Sequence, residues 1–139
     1  MSEDFEQISL KPGFMKHNGG VLFRTISGKE YEFKATIKEN HLNAAGITHG
    51  GFIAALVDAG AGTAAHRAAE NKPCVTVSLE LKFISAVKLG QELIGKTIIQ
   101  KKTKSMIFLT CELKVSDKIV ATASGVWKIL RLQGAGPGG

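Results

Sequence analysis

The chain has 139 residues, 44% of them hydrophobic, which is the size of one domain able to bury a core without covalent staples. Its net charge of +6 favours anionic partners, but the lysines thicken only at residues 101–104, with no aromatic-rich RNA-binding signature and no helix-turn-helix pattern, so nucleic acid is not an expected partner. Cys74 and Cys111, two isolated cysteines among apolar and β-forming residues, make neither a disulfide framework nor a metal cluster and read as buried thiols of a reducing compartment.

The opening MSEDFEQISLKPGF is acidic and lacks the basic-then-apolar plan of a secretion signal, which points to a cytoplasmic protein. Residues 2–10 are expected to form a short helix with Ser2 as N-cap, stopped by Pro12-Gly13. VLFRTIS and EYEFKATI flank Ser27-Gly28-Lys29 and predict a β-hairpin. After the polar loop KENHLN, the spacing predicts a helix over 50–70. Apolar and small residues fall on all its sides, so burial all round is expected. Asp58 interrupts the longest weakly polar run, which falls short of the roughly 20 residues that cross a bilayer, so no membrane span is expected. Gly60 and Gly62 each cost about 1 kcal/mol relative to alanine inside a helix, a cost that close approach to a sheet would offset.

Asn71-Lys72-Pro73 ends the helix. Then Val75, Val77, Leu79, Leu81 and Phe83 alternate with Thr76, Ser78, Glu80 and Lys82, the pattern of a long strand. Three more strands are expected near 91–102, 105–116 and 119–130, the last two joined at Ser116-Asp117-Lys118. The tail QGAGPGG, 133–139, is too rich in glycine to order itself. The order β-β-α-β-β-β-β is an α+β pattern: one domain over 1–139, one long helix on a six-stranded antiparallel sheet, after a short N-terminal segment of about 1–13. One helix covers one sheet face, so the other face and the edges call for protection, which self-association supplies cheaply.

The candidate chemistry gathers around NAAGITHGGFIAALVDAGAG, where Asp58 has no cation until His66 and Arg67. An ionised carboxylate in a dry interior must gain donors, raise its pKa or reach water. Its partner must therefore come from another element or another subunit. Such a carboxylate suits a general base or nucleophile; the ordinary alternative is a structural acceptor for a nearby loop. Gly50 and Gly51 fall at the helix start, where free N–H groups and the positive dipole end can receive developing negative charge. Asn43 could orient a water or carbonyl, or close an Asx-turn. His49 could cap the helix, touch a ligand or move a proton; no metal partner stands near it.

HLNAAGITHGGFIAALVDAGAG resembles the Asn-x-x-Gly-x-x-His-Gly-Gly-x-x-x-x-Leu-x-Asp signature of hotdog-fold acyl-CoA thioesterases of the PaaI, phenylacetate-degradation type, within the 4-hydroxybenzoyl-CoA thioesterase superfamily. The resemblance extends through the strand CVTVSLELKFIS and the final hairpin. It implies a hotdog fold, a helix wrapped by the sheet, and hydrolysis of an acyl-CoA to a free acid and coenzyme A without metal or redox cofactor. It implies Asp58 as the catalytic carboxylate, Gly50 N–H as the carbonyl-polarising donor, Asn43 as a positioning residue and His49 as a substrate contact. Thr76 falls where some relatives have a serine assisting the water. Coenzyme A would lie against Phe83, Ser85 and Lys88 after that strand and against Lys101, Lys102, Lys104 and Ser105 in the next hairpin. Ala86 and Thr103 depart from residues frequent there, a proline and a glycine. The resemblance further implies a homodimer with shared sites, commonly paired into a homotetramer. A non-catalytic acyl-CoA-binding module is the alternative, and a hotdog dehydratase a weaker one, since no His pairs with a helix Glu.

Overall fold

The computed structural model describes residues 4–131. In chain order the elements are β1 (Glu6–Gln7), α1 (Phe14–His17), β2 (Leu22–Thr25), β3 (Glu30–Thr36), α2 (Gly50–Ala68), β4 (Cys74–Phe83), β5 (Glu92–Lys102), β6 (Met106–Val115) and β7 (Lys118–Ile129). All strands join one antiparallel sheet in the order β1-β2-β3-β5-β6-β7-β4. The α+β plan of one long helix on an antiparallel sheet is present, with seven strands rather than the six expected.

The seventh strand replaces the expected N-terminal helix. Glu6 and Gln7 pair with Phe23 and Leu22, and Ile8 N–H donates to the Val21 carbonyl. Gln7 Oε1 also accepts from the Val21 and Ser9 N–H groups. A short isolated helix is marginal in water, so these pairings to a formed strand prevail. The helix that does form, α1, lies beyond Pro12-Gly13. Ser2, the expected cap, and the tail at 133–139 lie outside the described residues.

The long helix is buried on one side only. Phe52, Ile53, Leu56, Val57, Gly60, Ala61, Ala64 and Ala65 face the sheet, whereas Gly51 and Asp58 are exposed and Ala54, Ala55, Ala59 and Gly62 only partly covered. Burial all round is thus not what the single chain provides: small residues look alike in sequence whether they meet a core or an uncovered face. Gly60 does allow close approach. A Cβ there would stand 2.3 Å from the Phe33 ring, and one at Gly95 on β5 would stand 2.2 Å from the same ring, so Phe33 is lodged between helix and sheet. Close packing against Phe33 offsets the helix propensity lost at Gly60.

Two connections hold the helix start in place. Thr48 donates its N–H and Oγ1–H to the Val87 carbonyl at 2.8 and 2.7 Å. His49 N–H donates to the carbonyl of His41 at 2.8 Å. His41 itself is buried, stacks on Phe52 at 3.7 Å, accepts the Lys38 N–H at Nδ1 and reaches the Asn18 carbonyl through Nε2. A carbonyl only accepts, so Nε2 carries the proton and the ring is a structural latch.

β4 closes the sheet as an edge, and a bulge interrupts it. Thr76 is opposite Trp127 and Ser78 is opposite Val126, leaving Val77 without a register partner. The extra residue reverses the alternation expected from the sequence: Cys74 and Thr76 turn to the helix side together with Leu79 and Leu81. Cys74 is consequently half-buried, while Cys111 has the full burial expected of both; both are free thiols.

Candidate active site

The first turn of α2 leaves one donor unused. His49 is the N-cap, and its Nδ1 accepts from Gly51 N–H at 2.8 Å; Phe52 N–H donates to the His49 carbonyl at 2.9 Å and Ile53 N–H to the same oxygen at 3.3 Å. Gly50 N–H has no partner among the described residues. Of the two glycines, only Gly50 therefore offers its N–H to a ligand at the positive end of the helix. Phe83 from the end of β4 stands over it, its ring 3.4 Å from the position of a Gly50 Cβ.

Asn43 sits in the loop before this helix. Its Oδ1 accepts from Ala45 and Ile47 N–H at 2.9 and 3.3 Å, and its carbonyl accepts from Gly46 N–H at 3.0 Å. That is an Asx-turn, the local alternative weighed for this residue. It commits the side-chain oxygen and leaves the amide nitrogen as the group available to a substrate.

Asp58, two turns into α2, finds its donor on β4. Thr76 Oγ1–H donates to Asp58 Oδ1 at 2.7 Å, a contact the Val77 bulge makes possible by turning Thr76 toward the helix. The carboxylate is exposed rather than sealed in a dry interior, so its charge is met by one hydroxyl and by solvent. Around it opens a pocket of about 510 Å³. His66, Cys74 and Trp127 line the pocket with Asp58 and Thr76, and none of the three stood out in the sequence as a site residue. Helical spacing could have found His66, eight residues beyond Asp58 and so near its face of α2; the other two come from strands that only folding brings near. His66 Nδ1 lies 2.7 Å from the Lys72 carbonyl, so Nδ1 carries a proton and donates there. Burial raises the Cys74 thiol above its ordinary range, so the neutral form is favoured beside the carboxylate.

Within one chain Asp58 and Gly50 cannot serve the same carbonyl. Eight residues of α-helix separate them by about 12 Å along the axis, whereas both groups need to lie about 3 Å from the reacting atoms. The expected coenzyme A contacts are divided as well. Phe83 ends β4 near the start of α2, and Ser85 and Lys88 follow it; Lys88 N–H donates to Gln91 Oε1 at 2.8 Å. Lys101 and Lys102 end β5, and Lys104 and Ser105 form its turn into β6. Lys102 Nζ lies 3.7 Å from Glu70 Oε2, just past the other end of a helix whose 19 residues span about 28 Å. One chain does not bring Lys88 and the lysines at 101–104 together. Among the described residues, no cluster of three His, Cys, Asp or Glu could hold a metal, and no helix is long and apolar enough to cross a membrane.

Comparison with known proteins bears on the family and the fold. Residues 45–122 match the family model described as the thioesterase superfamily. A Pseudomonas aeruginosa protein named "Putative esterase" is 36% identical over 128 residues, covering 91% of this chain and 96% of its own. Mouse acyl-coenzyme A thioesterase 13 is 28% identical over 112 residues, 79% of this chain and 80% of its own. Zebrafish thioesterase superfamily member 2 superposes with a TM-score of 0.79 at 22% identity, over 88% of this chain and 90% of that one. A Streptococcus mutans protein solved with acetyl-CoA superposes with a TM-score of 0.77 at 16% identity, over 90% of this chain and 97% of that one. The family match spans more than half of the chain and the superpositions share its helix-on-sheet plan, so the chain belongs to the thioesterase superfamily and carries the hotdog fold.

Proposed function

We propose that the protein is an acyl-CoA thioesterase of the PaaI type that works as a homodimer, each site combining Asp58 of one protomer with the Gly50 helix start of its partner. The observation that carries this reading is the division of the chemistry within one chain. An unpartnered N–H at the helix start and a carboxylate with a hydroxyl partner lie about 12 Å apart along α2, a span that a second copy of the chain can close. Two features support the dimer. β4 is an open sheet edge whose Val75 and Val77 are exposed, and the face of α2 beside it carries small residues that a second helix can approach.

The reaction is hydrolysis of a thioester. A water held between Asp58 and Thr76 gives a proton to Asp58 as its oxygen bonds to the carbonyl carbon. The carbonyl oxygen becomes an oxyanion facing the partner's Gly50 N–H, where loss of such a donor typically costs roughly 3–4 kcal/mol of barrier stabilisation. The carbon–sulfur bond then breaks, and the departing thiolate takes the proton from Asp58. The Thr76 contact favours this general-base route over direct attack by the carboxylate: a hydroxyl that donates to Asp58 keeps its lone pairs for a hydrogen of the water. Coenzyme A lies against Phe83, Ser85 and Lys88, with its phosphates met by the lysines at 101–104 of the subunit that brings them near. The same reading makes the chain one domain, pairs dimers into a tetramer and places the protein in the cytoplasm.

Asp58→Asn tests the reading. It keeps the shape and the Thr76 contact, and turnover falls by roughly 10²- to 10⁴-fold, the scale of a positioned base, with melting temperature nearly unchanged. Thiol release is measured across phenylacetyl-, hydroxybenzoyl- and medium- to long-chain acyl-CoAs. Wild-type activity in the variant removes Asp58 from the chemistry. Tight binding by the wild type with no thiol release from any of the panel makes the protein an acyl-CoA-binding module instead.

A further inference from the structure

One buried residue grips α2 on both sides of Gly50. The carbonyl of His41 accepts the N–H of His49, the residue before Gly50, at 2.8 Å. The ring of His41 stacks on that of Phe52, two residues after Gly50, with centroids 3.7 Å apart and planes 10° from parallel. Between these two grips lies the peptide unit that carries the Gly50 N–H. A peptide is planar, so the His49 carbonyl and the Gly50 N–H point in opposite directions within one plane. That carbonyl accepts from Phe52 N–H at 2.9 Å, so the residues His41 holds are the ones that set where the Gly50 N–H points.

The ring in turn fixes the His41 backbone. His41 is 3% exposed and both of its nitrogens are committed: Nδ1 accepts the Lys38 N–H at 2.8 Å, and Nε2 donates to the Asn18 carbonyl at 2.7 Å. An apolar side chain of the same shape fills the space against Phe52 but leaves that N–H and that carbonyl without this partner. A buried polar group satisfied on every side specifies one geometry. Asn43, by contrast, is held by its own Asx-turn and by its N–H on the Ile47 carbonyl at 2.8 Å, so the grip of the ring bears on the helix start rather than on the loop tip. Aim matters there: an oxyanion donor works at about 3 Å from the developing charge, and misplacement by about 1 Å costs roughly 10²-fold.

We propose that His41 is a positioning residue of the thioesterase site, acting through His49 and Phe52 to aim the Gly50 N–H at the oxyanion. This role rests on the thioesterase reading above, with Gly50 as the donor, and deepens it by naming what holds the donor in place.

The test is a double-mutant cycle. His41→Gln removes the stack and the Nδ1 acceptor but keeps a side-chain N–H for the Asn18 carbonyl. In thiol release from the acyl-CoA that the wild type turns over fastest, it lowers kcat about tenfold to a hundredfold and changes KM by less than about threefold. In the Gly50→Pro background no donor remains to be aimed, and the same substitution changes kcat by less than about threefold. Equal losses in the two backgrounds, or a loss carried by KM, overturn the proposal and make His41 a scaffold residue only. If His41→Gln does not fold, Phe52→Leu decides: it removes the stack, keeps an apolar side chain in the core and shows the same kcat loss, at smaller size, only where Gly50 is present. Amide hydrogen exchange without substrate gives a second readout. In the variant, exchange at His49 N–H rises about tenfold or more while the amides of β5 and β6 keep wild-type protection; unchanged exchange at His49 overturns the grip. If the wild type hydrolyses none of the acyl-CoAs, the thioesterase reading fails, while exchange still reports whether His41 holds the helix start.

Discussion

Gly50→Pro removes one hydrogen from the proposed site and little else. Proline lacks the N–H, fixes φ near −65°, and is favoured at the first position of a helix because that N–H has no intrahelical partner. The residue before a proline must be extended, and His49 already has φ −64 and ψ 131. The added ring enters beside Phe83, 3.4 Å from the Cβ position, and Phe83 is 56% exposed in the chain, so its ring has room to turn. Stability therefore changes by about 1 kcal/mol or less. Turnover falls by roughly 10²- to 10³-fold, the cost of an oxyanion donor. The assay pairs thiol release with a thermal melt followed by circular dichroism. A variant that melts like the wild type and keeps activity within about threefold refutes Gly50 as the donor, since roughly 3 kcal/mol cannot vanish unnoticed. The same variant tests the shared site. Mixed one to one with Asp58→Asn under subunit exchange, two inactive proteins regain about one quarter of wild-type activity, because half the dimers are mixed and each has one intact site. No recovery, with mixed dimers demonstrated, refutes a site shared between Asp58 of one protomer and Gly50 of its partner.

Other consequences concern the scaffold. Gly60→Ala gains about 1 kcal/mol in helix propensity but drives a methyl to 2.3 Å from a Phe33 ring already held by Gly95; overpacking of about 1–3 kcal/mol or more wins, and the melting temperature falls. A variant at least as stable as wild type shows that Phe33 has room to move. Cys111 is pushed by burial from 9.0 up to about 12. The folded state thus holds its thiol proton more tightly, so the stabilisation is fully present below the ordinary thiol value and is lost as pH rises from 9 toward 12. In urea titrations Cys111→Ala flattens this part of the alkaline decline; an unchanged slope means the thiol is not coupled to folding.

The sequence made the elements legible wherever period and punctuation agreed. The Ser27-Gly28-Lys29 hairpin, the start of α2 at Gly50 and the Ser116-Asp117 turn, whose two residues have φ of 48 and 71, follow from local chemistry. The misses share a cause: each depends on a partner distant in sequence. Residues 6–8 pair with a strand that local propensity cannot see, and the Val77 bulge answers to β7 rather than to its own neighbours. For the same reason the alternation set Thr76 on the face opposite Val75, Val77, Leu79 and Leu81 without saying which face meets the helix, although its residue type marked it as a site candidate. Asn43, Gly50 and Asp58 stood out because a helix start and an isolated acid are local signals. Trp127 and Cys74 did not, since a strand tryptophan and a strand thiol read as ordinary core until the fold sets them beside α2.

The uncovered face of α2 also explains a choice of residues that exposure alone does not. A face meant for water ordinarily carries lysine and glutamate, which are good helix formers and keep a surface soluble; here Gly51, Ala54, Ala55, Ala59 and Gly62 surround one acid. Small residues suit a face on which another backbone, or a substrate, comes close. The neighbouring edge strand β4 adjoins this face at the Thr76–Asp58 hydrogen bond, so one contact belongs both to the unprotected edge and to the carboxylate. In the proposed dimer, protecting the edge and assembling the site are then the same event. Selection against edge-to-edge aggregation and selection for turnover would bear on the same surface, and a substitution that weakens pairing would lower activity even where each chain remains folded.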